Sequence, residues 1–95
     1  MNVKFYGGRN VVKFEKNWSK FVNSKYTVTF NSNTSGLCSA IGAANINPGD
    51  EVIVTPYSMS ATATAILGYQ GIPVFADIDP KTFCLDPKQI IKKIN

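Results

Sequence analysis

Two periods of hydrophobicity take turns along this chain, and that alternation limits its possible folds more than any other feature. Residues 10–22 carry Phe14, Trp18, Phe21 and Val22 at i, i+4, i+7 and i+8. This is the spacing of one apolar helical face, and Asn10 stands where an N-cap would. The face is expected to be buried. Tyr26-Thr27-Val28-Thr29-Phe30 is β-branched or aromatic throughout and predicts a strand, which Asn31 to Ser35 interrupt. Leu37, Ala40, Ile41 and Ala44 return to the helical period over 34–45. Asn47-Pro48-Gly49-Asp50 then has proline second and glycine third, as a β-turn prefers.

The same rhythm continues to the last residue. Glu51–Thr55 predicts a second strand, and the small residues of 59–69 predict a tightly packed helix ended near Gly71 and Pro73. Val74–Ala76 predicts a short third strand. Asp86-Pro87 opens a final helix with Ile90, Ile91 and Ile94 as its apolar side. Helices alternating with strands imply an α/β layered fold around a largely parallel sheet. With 95 residues and no repeat or linker, the chain is expected to form a single unit over 1–95, burying only roughly two thirds of its unfolded surface.

Several functional classes drop out early. The chain has no histidine, and its two cysteines, Cys38 and Cys84, have no metal-ligand spacing. Zinc patterns and Ser/His/Asp or Cys/His catalysis within this stretch are therefore excluded, and no metal site is expected. Both cysteines read as small hydrophobic packing residues. The net charge of +4 comes from scattered lysines and a group at Lys88, Lys92 and Lys93. A nucleic-acid binder would instead be expected to gather its positive charge into a patch. Lys88 and Lys92, four apart, read as the solvated face of a helix. No apolar stretch approaches the ~18 residues of a membrane span, and Met1-Asn2-Val3-Lys4 does not begin a secretory signal, so a cytoplasmic location is expected.

The segment that carries chemistry is Asn31-Ser32-Asn33-Thr34-Ser35-Gly36. Hydroxyls and small residues where a helix follows a strand gather free N–H groups and the positive end of the helix dipole around one point, which suits a phosphate. The same residue types are also ordinary helix caps, so the segment alone leaves both readings open. It is neither a Walker loop nor a GxGxxG fingerprint.

Four blocks, in order and spacing, resemble the DegT/DnrJ/StrS aminotransferase family: Asn31 to Leu37, Pro48-Gly49-Asp50-Glu51-Val52-Ile53-Val54, Ala61-Thr62-Ala63, and Pro73-Val74-Phe75-Ala76-Asp77-Ile78-Asp79-Pro80. The resemblance runs from about Gly8 onward. It implies an N-terminal part of the three-layer α/β/α large domain of a pyridoxal 5′-phosphate enzyme, with about three strands and four helices. The implied parent moves an amino group, usually from glutamate, onto a nucleotide-linked keto-sugar. It further implies that Asn33, Thr34 and Ser35 hold the cofactor phosphate. Asn33 stands at the family's glycine, a substitution that tolerates left-handed backbone but adds bulk.

Where the family often has two aromatics, the later one stacking on the pyridine ring, this chain has Tyr57 and Met59. Met59 can make a sulfur contact to the ring, and for Tyr57 a substrate-side role and simple packing stand level. Asp77 and Asp79 mimic a glycosidase carboxylate pair, but beside Pro80 they read as turn organisers. The family's cofactor lysine and the acid at the pyridine nitrogen both lie beyond the matched stretch, and none of the nine lysines here sits in that lysine motif. No catalytic residue is expected, and the chain alone is expected to be inactive. Unpaired sheet edges are expected to favour a homo-oligomer. A stand-alone interaction module derived from an aminotransferase is the alternative.

Overall fold

The structure, a computed structural model, describes residues 8–94. Met1 to Lys4, from which the absence of a secretory signal was read, lie outside the described residues. The chain divides between Asn31 and Ser32 into two compact units.

In the N-terminal unit, α1 spans Arg9–Phe21. Its N-cap is Gly8, whose carbonyl accepts from Val11 at 2.9 Å and Val12 at 3.2 Å, so Asn10 is inside the helix and caps nothing. At the other end Asn23 turns left-handed (φ 52°). Ser24 N–H then reaches Ser19 O at 2.9 Å and Asn23 N–H reaches Lys20 O at 3.4 Å, the paired bonds of a Schellman cap with asparagine in the usual glycine place. The predicted stripe exists as a run of rings: Phe14 and Trp18 are 5.9 Å apart and Trp18 and Phe21 are 5.5 Å apart. It is not buried. No residue of α1 is, and Phe21 is 80% exposed.

Residues 26–30 form no strand. Strand propensity measures fit to a neighbouring strand, and none pairs with this segment among the described residues. Side chains of α1 take the ladder's place. Glu15 Oε1 accepts Thr29 N–H at 2.9 Å and the Thr29 hydroxyl at 2.8 Å, and Ser19 Oγ lies 2.8 Å from Thr27 Oγ1. The two bonds from Thr29, the backbone one first, hold the Glu15 carboxyl below the ordinary glutamate range.

The second unit is built on β1 (Glu51–Val54), α3 (Ala61–Leu67) and β2 (Ile72–Phe75). The strands run parallel in register Glu51↔Ile72 to Val54↔Phe75, with α3 as the crossover. This is the expected α/β arrangement, with two strands where three were expected. Ahead of it lies α2 (Asn33–Ala43), and after it the short α4 (Pro87–Ile91). The expected turn is present: Asp50 N–H donates to Asn47 O at 3.0 Å with Gly49 at φ 89°. Asp86 caps α4 through Lys88 N–H at 2.9 Å, with Pro87 in its first turn. Ile90 is half-buried, but Ile91 and Ile94 stay exposed, so only part of the expected apolar side of α4 is covered.

Helix α3 touches α2, β1 and β2, and the core of this unit is Val54, Ala65, Ile66 and Ala76. Gly71, buried at the entry to β2, fits there because it lacks a side chain. A Cβ would stand 2.9 Å from Ile66 Cγ2 and 3.3 Å from both Asp50 O and Ile46 Cγ2. Ile66 is 2% exposed and cannot move aside, and the Asp50 carbonyl is held by Ile72 N–H at 2.8 Å. On the other side of α3, Tyr69 lies over Gly42 of α2, where a Cβ would come within 2.8 Å of Tyr69 Cζ.

Gly71→Ala is expected to lower unfolding stability by about 1–3 kcal/mol through overpacking, read from urea denaturation. In the first unit, a glutamate with a lowered folded pKa contributes stability above its ordinary value and loses it as pH falls through the lowered one. Protection of the Thr29 amide in NMR exchange should therefore persist to below the ordinary glutamate range. Glu15→Gln should remove that pH dependence.

Candidate functional site

The N-terminus of α2 is arranged by Ser32. Its backbone is extended (φ −156°, ψ 159°), and its Oγ accepts Ser35 N–H at 3.1 Å and lies 3.0 Å from Ser35 Oγ. Its carbonyl takes Gly36 N–H at 3.2 Å. Asn33, Thr34 and Ser35 are thus the first three helical residues, and the N–H groups of Asn33 and Thr34 precede any carbonyl the helix could offer them. Asn33 and Thr34 are exposed and Ser35 is half-buried. The first turn holds no acid, so nothing local opposes an anion at the positive end of the dipole.

Neutral N–H and hydroxyl donors at a helix start suit a phosphate, and the residues present fit that group. Asn33 is not left-handed, so its tolerance of that conformation is not called upon. Ser32 is the cap that the residue types of the junction do not by themselves single out. Its signal in the sequence was a serine three residues before a second hydroxyl, just ahead of the helical period.

A second feature lies at the carboxyl ends of β1 and β2, where open parallel sheets place ligands. An open cleft of roughly 340 Å3 is lined there by Thr55, Ser58, Met59, Thr64 and Phe75, among others. That size is within the range of small-molecule sites. Met59 is on this wall and 77% exposed. Asn33, Thr34, Ser35 and Tyr57 are not part of the lining. The Tyr57 ring instead faces Phe83, with centroids 5.8 Å apart and planes at 36°.

The remaining candidates separate cleanly. Asp79 Oδ1 accepts Lys81 N–H at 2.7 Å and Thr82 N–H at 3.4 Å, and Asp77 Oδ1 accepts Ile78 N–H at 2.8 Å. Both aspartates organise the turn, as expected. Lys88 and Lys92 are exposed, with Lys92 Nζ on Gln89 Oε1 at 3.3 Å. Cys38 is half-buried, but Cys84 is exposed and its thiol donates to Thr82 O at 3.6 Å, so packing does not explain it. Among the described residues no helix is long and apolar enough to cross a membrane.

Residues 2–95 match the model of the DegT/DnrJ/EryC1/StrS aminotransferase family. The chain is 40% identical over 91 residues to 3-oxo-glucose-6-phosphate:glutamate aminotransferase of Bacillus subtilis, covering 96% of this chain and 21% of that protein. It is 45% identical over 83 residues to the spore coat polysaccharide biosynthesis protein SpsC of the same organism, covering 87% and 21%. Among solved structures it is similar to NtdA from Bacillus subtilis with bound cofactor PMP, at a TM-score of 0.90 and 39% identity, covering 97% of this chain and 21% of that one. The chain spans about a fifth of the length of these relatives.

Ser32→Ala is expected to cost about 1 kcal/mol in unfolding stability through loss of the α2 cap, while Ser32→Thr keeps most of it. Thermal unfolding of the two variants beside the parent chain checks this. Equal midpoints for all three would show that Ser32 does not hold the helix start.

Proposed function

Because the chain belongs to the DegT/DnrJ/EryC1/StrS aminotransferase family, we propose that residues 1–95 serve as the N-terminal part of its large domain and supply the cup for the cofactor phosphate. The family depends on pyridoxal 5′-phosphate, which when bound supplies the electron sink that amino-group transfer requires. The single observation that carries this reading is the start of α2, where the first-turn N–H groups of Asn33 and Thr34 meet no acid. Asn33 and Thr34 offer backbone donors to the phosphate, the Thr34 hydroxyl adds a third, and Ser35 closes the turn through Ser32. Met59, on the wall of the cleft, supplies a sulfur contact to the face or edge of the pyridine ring. Tyr57 sits at the edge of this site, beside rather than on the wall.

The substrate of the whole enzyme is proposed to be a keto-sugar bearing a phosphate handle, with glutamate as the amino donor. The resemblance favours a nucleotide as that handle, and the name of the Bacillus subtilis relative supports a simple sugar phosphate. The chain alone is proposed to be inactive. Lys13, Lys16, Lys20, Lys25, Lys81, Lys88, Lys92 and Lys93 are all exposed, and none lines the cleft. A second copy of the chain is the proposed partner, through the sheet edges. Ile72 and Ala76 donate inward to Asp50 and Val54, which turns Pro73 outward and leaves the outer edge of β2 short of a donor. The outer edge of β1, at Glu51 and Ile53, is the more open template. The site is proposed to work in the cytoplasm.

Purified chain given pyridoxal 5′-phosphate, glutamate and a keto-sugar, either nucleotide-linked or phosphorylated, is expected to show no amino transfer above the cofactor-only control. Turnover above that control would refute its inactivity. The chain is expected to bind pyridoxal 5′-phosphate weakly, seen as a 31P shift. Thr34→Ala should weaken binding about tenfold, as loss of one hydrogen bond to a charged group does. Equal affinity would remove Thr34 from the site.

A further inference from the structure

Phe83 occupies backbone that a bulky side chain ordinarily avoids. Its φ is 57°, in the left-handed region where glycine and asparagine are at ease and a large L-residue is an outlier. The other non-glycine residues with positive φ among those described are Asn23, Asn45 and Gln70, which are polar and follow helices. Phe83 lies instead in a closed loop. Its N–H donates to Asp79 O at 2.8 Å, and Asp79 N–H donates to Cys84 O at 2.9 Å. Asp79 Oδ1 takes Lys81 N–H, and Ile78 bridges Leu85 across the base. The loop over-determines the conformation, as retained strain requires, and such strain points to a use for the side chain.

Among the described residues, Tyr57 is the ring partner of that side chain. The Phe83 ring lies 5.8 Å from the ring of Tyr57, within the range of favourable aromatic pairs. Tyr57 belongs to the segment that leaves β1 and carries Met59 to the cleft wall. This segment is held at its ends by hydroxyls: Tyr57 N–H donates to Thr55 Oγ1 at 3.1 Å, and Ser58 Oγ lies 3.1 Å from Thr62 Oγ1. Between those ends, the Phe83 contact is the aromatic anchor.

We propose that Phe83 is a positioning residue, which through its ring contact with Tyr57 fixes the segment 55–60 and so the place of Met59 on the cleft wall. What Met59 is positioned toward rests on the proposed cofactor reading; the positioning itself does not. Phe83 is not itself part of the cleft lining and acts through Tyr57.

The test uses the whole chain labelled with [13C-methyl]methionine, in which Met59 is one of two methionines. Phe83→Gly removes the ring and relieves the backbone. It is expected to shift and broaden the Met59 methyl resonance without lowering the unfolding midpoint. Tyr57→Leu should produce the same change, and the double variant no more than either single one, because both break one contact. Phe83→Tyr should restore the parent resonance. An unchanged Met59 resonance in Phe83→Gly, or additive shifts in the double variant, would overturn the proposal. Should Phe83→Gly unfold, Phe83→Asn, which also accepts the left-handed backbone, gives the same reading. A Met59 response with no 31P shift on adding pyridoxal 5′-phosphate to the parent chain would keep the positioning role and remove the cofactor reading.

Discussion

Two parallel strands cannot be joined by a tight turn, so the chain between β1 and β2 has to travel back over the sheet, and here it does so as α3. The other features of the second unit follow from that crossover. It brings Ala65 and Ile66 down onto the strands beside Val54 and Ala76, and it leaves so little room where β2 begins that only glycine fits at Gly71. It also sets the carboxyl ends of both strands side by side. The cleft opens at those ends, so the wall that carries Met59 is a consequence of strand direction rather than of any local motif.

What was legible in the sequence is what a few neighbouring residues decide among themselves. The turn at Asn47 to Asp50 needs only proline and glycine in the right places, and the α4 start needs only Asp86 and Pro87. The Asp79 loop likewise depends on one carboxylate reaching its own next residues. The features that differ depend on partners elsewhere. Tyr26 to Phe30 has the residues of a strand but no strand beside it, and Glu15 and Ser19 of α1 satisfy it through side chains. The Phe14, Trp18 and Phe21 stripe has the right period, yet periodicity says which face is apolar and not what covers it. Asn10 failed as a cap because the extended backbone of Gly8 let the helix begin sooner.

At the start of α2, the sequence placed a helix N-terminus within Asn31 to Gly36 but did not say which residue caps it. Asn33 stands in a glycine's place, where a left-handed backbone would draw on asparagine's tolerance. In the fold Asn33 is ordinary helix, and the extended residue that caps it is Ser32. A serine that caps and a serine that binds phosphate look alike in a sequence. They become distinguishable only when one knows which oxygen faces which N–H.

That distinction sets a limit on the proposed cup. A helix start has a fixed supply of unpaired donors, and Ser32 Oγ already holds Ser35 N–H while the two hydroxyls share a contact. In the proposed cup, a phosphate would meet the Asn33 and Thr34 N–H groups and the Thr34 hydroxyl first, and would recruit the Ser35 N–H only by displacing the cap. The cap holds the start of α2, and a bound anion would have to compete with it for the third backbone donor. On the proposed reading, the stability of the empty helix and the strength of phosphate binding would therefore be opposed at a single atom, Ser32 Oγ.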